Sequence, residues 1–391
     1  MKIAIIGGGI SGLYAAKILT ELGHNITVYE KDKFGGCIEY IYYRNSYYPL
    51  SALYIIGDNQ YMINFIKKNK LKILYCEYYL KDYHIIRRRL DIYFILTIFI
   101  SHLFKKIIVN HIIILLILLY PSETKIKEAN IIQKNLLIEL IYPVCLAWGG
   151  QGCIEKFIET RTKNYNYLTI FALILTVYKY KILKILGNKS YYHFIEHFMK
   201  NKKINYQIKN ISSIEHLDDK NKIKISYDNQ FKIFDKVIVA CNPLNVPIKL
   251  SSFELKYINN IDKGFDFYST FIHIKEESLN VSKNITGYIK LDDNIYLCSS
   301  NIPITKNNFD NKIIYIQCNK YIMGIKYDEK TLDIIENKIN GKNGIHFIGR
   351  YMTDDGISAC LNYVEKHLNR YFNYKITNKS KTKFIYDYMN L

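Results

Sequence analysis

Residues 1–36 read MKIAIIGGGISGLYAAKILTELGHNITVYEKDKFGG, and their order decides the fold. Residues 2–6 are a short apolar run that ends at a glycine cluster, the pattern of a buried parallel strand. Gly7-Gly8-Gly9-Ile10-Ser11-Gly12 follows and contains G-x-G-x-x-G as Gly7, Gly9 and Gly12. Leu13, Ala16, Ile18, Leu19 and Leu22 give the apolar face of a helix, which Gly23 is placed to end. Residues 25–29 read as a second strand closed by Glu30.

Each part has a physical task. Gly7 permits the tight turn out of the strand, Gly9 lets backbone approach a pyrophosphate, and Gly12 lets the helix pack closely on the strand. The helix start presents the free N–H groups of Ile10 and Ser11, with a partial positive charge, to phosphates. Glu30, eighteen residues beyond Gly12, can accept hydrogen bonds from a ribose hydroxyl pair. A bare glycine motif is weak, because glycines also cluster in turns that bind nothing. Strand, loop, helix, strand and acid in register predict a dinucleotide site.

The chain has 391 residues, enough for two domains or one large one with a sizeable core. With 54 Lys+Arg against 35 Asp+Glu the formal charge is +19, which raises the question of nucleic acid or an anionic membrane. The composition answers it differently. The chain is rich in Ile, Lys, Asn and Tyr (37 Tyr against one Trp), a bias typical of AT-rich coding sequence. Its lysines are dispersed, the densest arginine run is Arg87-Arg88-Arg89, and no RNP-like, zinc-finger or basic-zipper pattern occurs. No nucleic-acid partner is expected. None of the eight cysteines forms C-x-x-C or has metal-ligand spacing, and a strand starting at residue 2 leaves no room for a signal peptide before the glycine loop. The expected setting is intracellular, cytoplasmic and reduced.

The next residues make the reading specific. Lys31-Asp32-Lys33-Phe34 leads to the pair Gly35-Gly36 and then Cys37. This N-terminus resembles that of FAD-dependent amine oxidases and their relatives, which include protoporphyrinogen oxidases, phytoene desaturases and UDP-galactopyranose mutases. The resemblance implies an α/β fold: a Rossmann-like FAD-binding domain, a parallel sheet with helices, carrying an inserted α+β substrate domain. In that family the Gly-Gly pair is usually followed by an arginine beside the pyrophosphate. Cys37 departs from that, and weaker FAD binding or compensation by another basic residue such as Arg44 would follow.

The likeness continues at 48–73, with an amphipathic helix over 60–70 that puts Met62, Ile63 and Ile66 on one face and Lys67, Lys68 and Lys70 on the other. Segments 92–104, 107–120 and 167–178 are strongly apolar, but a span needs about twenty continuous apolar residues. They read better as a buried helical substrate domain than as monotopic membrane attachment. Trp148-Gly149-Gly150-Gln151-Gly152 reads as a turn. Beyond residue 186 come a helix over 191–199, a strand over 204–214, a hairpin of 222–227 with 231–233 through Asp228-Asn229, and a buried strand over 235–241. By resemblance, backbone near Ile211 lies by the adenine. His193-Phe194-Ile195-Glu196-His197 fits H-x-x-E-H, a zinc-binding pattern. It is short, and the flavoprotein pattern already accounts for its helix, so no metal is expected.

Strands are expected over 268–274, 286–291, 295–298 and 313–318, then a helix over 328–339. No catalytic residue is assigned; Lys275 and Lys290 read as surface lysines. The last signature is Gly344-Ile345-His346-Phe347-Ile348-Gly349-Arg350, a strand ending in glycine, followed by Asp355-Gly356-Ile357-Ser358 opening a helix. In the family such a strand, loop and helix start complete the FAD site. Gly349 matches the strand-end glycine, Asp355 the acid of the loop, and Gly356 and Ile357 the helix start facing the flavin. Lys31, next to Glu30, and Gly36 complete the implied contacts. Arg350 departs from the acid that amine oxidases commonly carry there; galactopyranose mutases and some desaturase-like proteins have Gly-Arg at this point, as this chain does.

The resemblance therefore implies FAD-binding segments at 1–73, 185–245 and 340–372, substrate-domain segments at 74–184 and 246–339, and a tail at 373–391. The activity it implies is hydride transfer from a C–N or C–C bond of a small-molecule substrate to FAD. The alternatives are a flavin-dependent sugar-nucleotide mutase, suggested by Gly349-Arg350, and a non-catalytic flavin-fold protein, suggested by Cys37.

Overall fold

The structure is a computed structural model, and it describes residues 1–52, 59–80, 182–217, 222–280, 285–300, 302–353 and 356–375. The apolar segments within 81–181, Arg87–Arg89, the 148–152 turn, Asp355 and most of the tail lie outside the described residues.

The chain opens with β1 (Lys2–Ile6), α1 (Ile10–Glu21) and β2 (Asn25–Glu30). A hairpin, β3 (Tyr40–Tyr43) and β4 (Ser46–Pro49), precedes α2 (Gln60–Lys68) and β5 (Ile73–Leu80). Further on lie β6 (Ile182–Leu186), α3 (Tyr192–Met199), β7 (Asn205–Ile208), β8 (Ser213–Leu217), β9 (Lys222–Tyr227), β10 (Gln230–Phe234) and β11 (Lys236–Val239). Then come α4 (Ser252–Ile258), β12 (Phe265–Ile274), β13 (Ile285–Asp292), β14 (Ile295–Ser300) and β15 (Ile313–Met323). The last elements are α5 (Glu329–Ile334), β16 (Ile345–Phe347) and α6 (Ile357–Phe372).

Two compact units divide the chain: 1–74 with 185–265 and 322–391, and 75–184 with 266–321. The first holds a five-stranded sheet in the order β16-β11-β1-β2-β7, parallel throughout. Its central strands are largely apolar and buried: Ile3, Ala4, Ile5, Val28, Val237 and Ile238 have no exposure, and Thr27 is a buried polar exception in β2. That is the expected mark of a parallel sheet covered on both faces. Gly23, at φ +83, ends α1 as expected. Asn59 caps α2 by accepting from Met62 N at 3.0 Å, and Met62, Ile63 and Ile66 are buried while Lys67, Lys68 and Lys70 are exposed.

The hairpin β9–β10 turns through Asp228 (φ 44) and Asn229 (φ 57), the two left-handed residues of a type I′ turn. The continuous strand expected over 204–214 is broken. β7 joins the parallel sheet beside β2, whereas β8 pairs antiparallel with β9 in a separate three-stranded sheet. One strand cannot serve both, so the chain bends at 209–212. The second unit carries a six-stranded sheet ordered β15-β12-β14-β13-β5-β6, in which β12–β14, β14–β13 and β13–β5 pair antiparallel. Among the described residues, no helix is long and apolar enough to cross a membrane.

Candidate cofactor site

β1 runs straight into the glycine loop. Gly7 N donates to Tyr29 O at 2.8 Å, and Gly7 needs to be glycine on two counts: its φ is +111, and a Cβ there would sit 2.9 Å from Cys241 N. Leu13 N donates to Gly9 O at 3.0 Å, the first bond of α1, which leaves the N–H groups of Ile10, Ser11 and Gly12 without intrahelical acceptors. Gly12 is a packing glycine: a Cβ there would lie 2.0 Å from Gly7 O. Gly9 is the reverse, with no atom of the described residues within 4 Å of a Cβ built on it. The loop therefore keeps open space directly in front of a helix N-terminus.

Glu30 ends β2 against this loop. Its Oε2 accepts from Gly8 N at 2.7 Å and its Oε1 from Asp32 N at 3.2 Å. Lys31 beside it is exposed. The pair Gly35-Gly36 folds back onto the loop: Gly35 N donates to Gly8 O at 2.9 Å, and a Cβ on Gly36 would stand 3.4 Å from Gly9 Cα. The Phe34 ring covers Gly8, where a Cβ would come within 2.4 Å of it. Lys209 N donates to Glu30 O at 2.7 Å, so the connector that carries buried Ile211 begins at the acid that closes the loop.

The C-terminal signature reaches the same edge of the sheet. β11 and β16 run parallel to β1, so the residues that follow each of them leave at the end where the glycine loop sits. Ile348 N donates to Val239 O at 2.9 Å, and Gly349, at φ +125, turns the chain where a Cβ would meet Ala240 O at 3.1 Å. Gly356 (φ +149) is the N-cap of α6, whose first residue is Ile357, and a Cβ on it meets no described atom within 4 Å. Two helix starts, each opened by a glycine with free space before it, thus share one sheet edge. Tyr14 Oη donates to Glu365 Oε1 at 2.6 Å and ties α1 to α6.

Some of this was not visible in the chain order. Ala240 and Cys241, which wall Gly7 and Gly12, come from the end of β11. Burial and the nearby Glu30 carboxylate push the Cys241 thiol up to about 12, so it is a wall and not a nucleophile. Arg44 sits at the β3–β4 turn with φ 50, while the guanidinium that reaches Cys37 is that of Arg350. His193 Nδ1 is 3.9 Å from Glu196 Oε2, and the His197 ring lies edge-on to Phe65 at 4.9 Å. Burial lowers both imidazole pKa values. No group of three or more His, Cys, Asp or Glu is placed to hold a metal among the described residues. Lys275 is exposed, and Lys290 lies 4.0 Å from Asp293.

Comparison with known proteins agrees with this geometry. Residues 5–68 match the family described as an NAD(P)-binding Rossmann-like domain. An uncharacterized protein in the nifH2 3′ region of Methanothermococcus thermolithotrophicus is 56% identical over 36 residues, which are 9% of this chain and 35% of that protein. The match thus spans about a third of that relative's length. Among solved structures, a CLA-producing fatty acid isomerase from P. acnes superposes with TM-score 0.65 at 14% identity, over 95% of this chain and 98% of that one. Putrescine oxidase bound to putrescine gives 0.61 at 10% identity, over 95% and 99%. An oxidoreductase from Methanosarcina mazei gives 0.57 at 13%, over 94% and 100%. The fold implied by the amine oxidase-like resemblance is the fold observed: a Rossmann-like nucleotide-binding unit and a second unit built on an antiparallel sheet.

Proposed function

We propose that this protein is an FAD-dependent oxidoreductase of the amine oxidase-like superfamily, which takes a hydride equivalent from a C–N or C–C bond of a small substrate. The observation that carries this reading is the pair of glycine-opened helix starts, at Gly9 and Gly356, on one edge of a parallel sheet. A side chain at either glycine would fill the space before the helix, so the cradle suits an extended dinucleotide.

The first-turn N–H groups of α1 would receive the pyrophosphate, and the Glu30 carboxylate a ribose hydroxyl pair. Gly349, Gly356 and Ile357 would meet the flavin end, where the positive end of the α6 dipole favours negative charge on the ring. Bound FAD supplies the hydride acceptor. The protein's share is to hold the substrate carbon near the flavin and keep water out. Putrescine oxidase and the M. mazei oxidoreductase among the structural neighbours support this class of chemistry.

The mutase alternative rested on Arg350. Its guanidinium is engaged by Ile322 O at 2.5 Å and lies at Cys37, which favours a role at the glycine loop over one on a substrate diphosphate. The test is reconstitution of the purified chain with FAD, then anaerobic flavin bleaching against polyamines, aromatic amines, amino acids and nucleotide sugars. A yellow protein bleached by one of these classes is expected. A colourless protein that cannot be reconstituted overturns the proposal.

A further inference from the structure

Gly36 packs on the glycine loop, where a Cβ on it would stand 3.4 Å from Gly9 Cα, and the residue that follows it in this chain is an exposed cysteine, Cys37. A dinucleotide brings two phosphate charges to that loop, whereas a helix N-terminus supplies only about half a unit of positive charge. The cations nearest in sequence do not answer the need. The Lys33 ammonium is paired with the Glu39 carboxylate, which raises its pKa, and Lys31 projects as an exposed side chain.

A cation does reach this rim from the other end of the chain. Gly349, at φ +125, turns the backbone out of β16, and Arg350 begins the short turn Arg350–Met352. Its Nη1 lies 4.0 Å from Cys37 Sγ and 3.6 Å from Met323 Sδ, and its Nη2 donates to Ile322 O at 2.5 Å. The guanidinium is thus anchored on a backbone carbonyl and lies beside Cys37, the residue that follows Gly36. Guanidinium is always charged and presents a planar fork suited to phosphate oxygens.

From this we infer that Arg350 is the cation that clamps the cofactor diphosphate: the positive charge missing at position 37 is delivered from the strand β16. The inference rests on the dinucleotide reading above. It is separable from it, because FAD binding can hold while Arg350 has no part in it.

The test is titration of the full chain with FAD and, in parallel, with riboflavin, which lacks phosphates, followed by flavin fluorescence; apoprotein melting is measured alongside. Arg350→Gln is expected to weaken FAD roughly tenfold to hundredfold, the scale of a lost charge-assisted hydrogen bond, and to leave riboflavin affinity unchanged. Adding Cys37→Arg to Arg350→Gln is expected to recover most of the FAD affinity, and Arg350→Lys to fall between. Unchanged FAD affinity in Arg350→Gln overturns the inference and leaves the FAD reading intact. Equal losses for FAD and riboflavin, with a lowered apoprotein melting temperature and no recovery from Cys37→Arg, reduce Arg350 to a tether of Ile322. Wild-type protein that binds neither FAD nor any other dinucleotide defeats the underlying reading itself.

Discussion

A methyl group added at Gly12 would sit 2.0 Å from Gly7 O, whereas one added at Gly9 would meet no described atom within 4 Å. The two glycines of one motif therefore fail differently when replaced. Gly12→Ala forces α1 away from β1 and is expected to cost the apoprotein about 1–3 kcal/mol, read by urea denaturation. Gly9→Val is expected to cost the apoprotein under about 1 kcal/mol, since the residue is an extended N-cap with φ −75, but its side chain would fill the space proposed for the phosphates. FAD retention is expected to be lost; full occupancy in that variant refutes the site. The Glu30 carboxylate accepts from Gly8 N, and in the proposed site it would also receive the ribose hydroxyls. Glu30→Ala is expected to weaken FAD by about 1.5–3 kcal/mol by titration, and Glu30→Gln by less, since its amide oxygen keeps the Gly8 bond.

At the scale of elements, β16 and α6 are joined by a buried histidine pair. His346 Nδ1 and His367 Nε2 are 3.1 Å apart, and His346 Nε2 has no hydrogen-bond partner among the described residues. Burial, then the neighbouring His367 and Lys236, hold the His346 pKa well below its usual value. Burial, then Arg370 and Lys236, bring His367 down to about 3. The folded protein thus keeps both rings neutral at pH values where the unfolded chain protonates them. Their contribution is complete above about pH 6.5 and is lost as pH falls. Urea midpoints should show a stability slope approaching about 1.4 kcal/mol per pH unit for each histidine between roughly pH 6 and pH 4. His346→Phe, in a pocket shared with Tyr371 and Phe372, should flatten that slope; an unchanged slope rules the pair out as its source. The elements differ in how readable they were. The helix expected over 328–339 is α5 with its continuation to Ile339, and α2 and the β9–β10 hairpin follow from local pattern, namely an amphipathic face and an Asp-Asn turn. The break between β7 and β8 does not, because the sheet each strand joins is a long-range matter.

Across the whole molecule, the candidate site uses residues near both chain ends, brought to one sheet edge by the parallel order β16-β11-β1. A ligand that spans them binds only the folded chain. FAD at 100 times its dissociation constant is expected to add about 2.7 kcal/mol of stability and to raise the melting temperature, measured by scanning calorimetry. NAD at the same concentration should raise it less, and an equal response would remove the preference for FAD. The formal charge of +19 carries no such argument, since its lysines are spread along the chain.

The amino-acid sequence by itself determined the Rossmann-like start, because a glycine loop between two apolar strands depends on contacts a few residues apart. It likewise determined the acid at position 30 and the strand–glycine–helix order of 344–358. The chain folding in three dimensions decided what fills the space around these motifs. Ala240 and Cys241 wall the glycine loop from a strand more than two hundred residues away, and the Gly35-Gly36 pair lies on Gly9 through backbone bonds. The resemblance marks Cys37 as a departure from the family's arginine, to be met by weaker FAD binding or by another basic residue such as Arg44. The tertiary structure brings the guanidinium of Arg350 to Cys37, because a parallel sheet aligns the exits of distant strands and sequence distance says nothing about that edge.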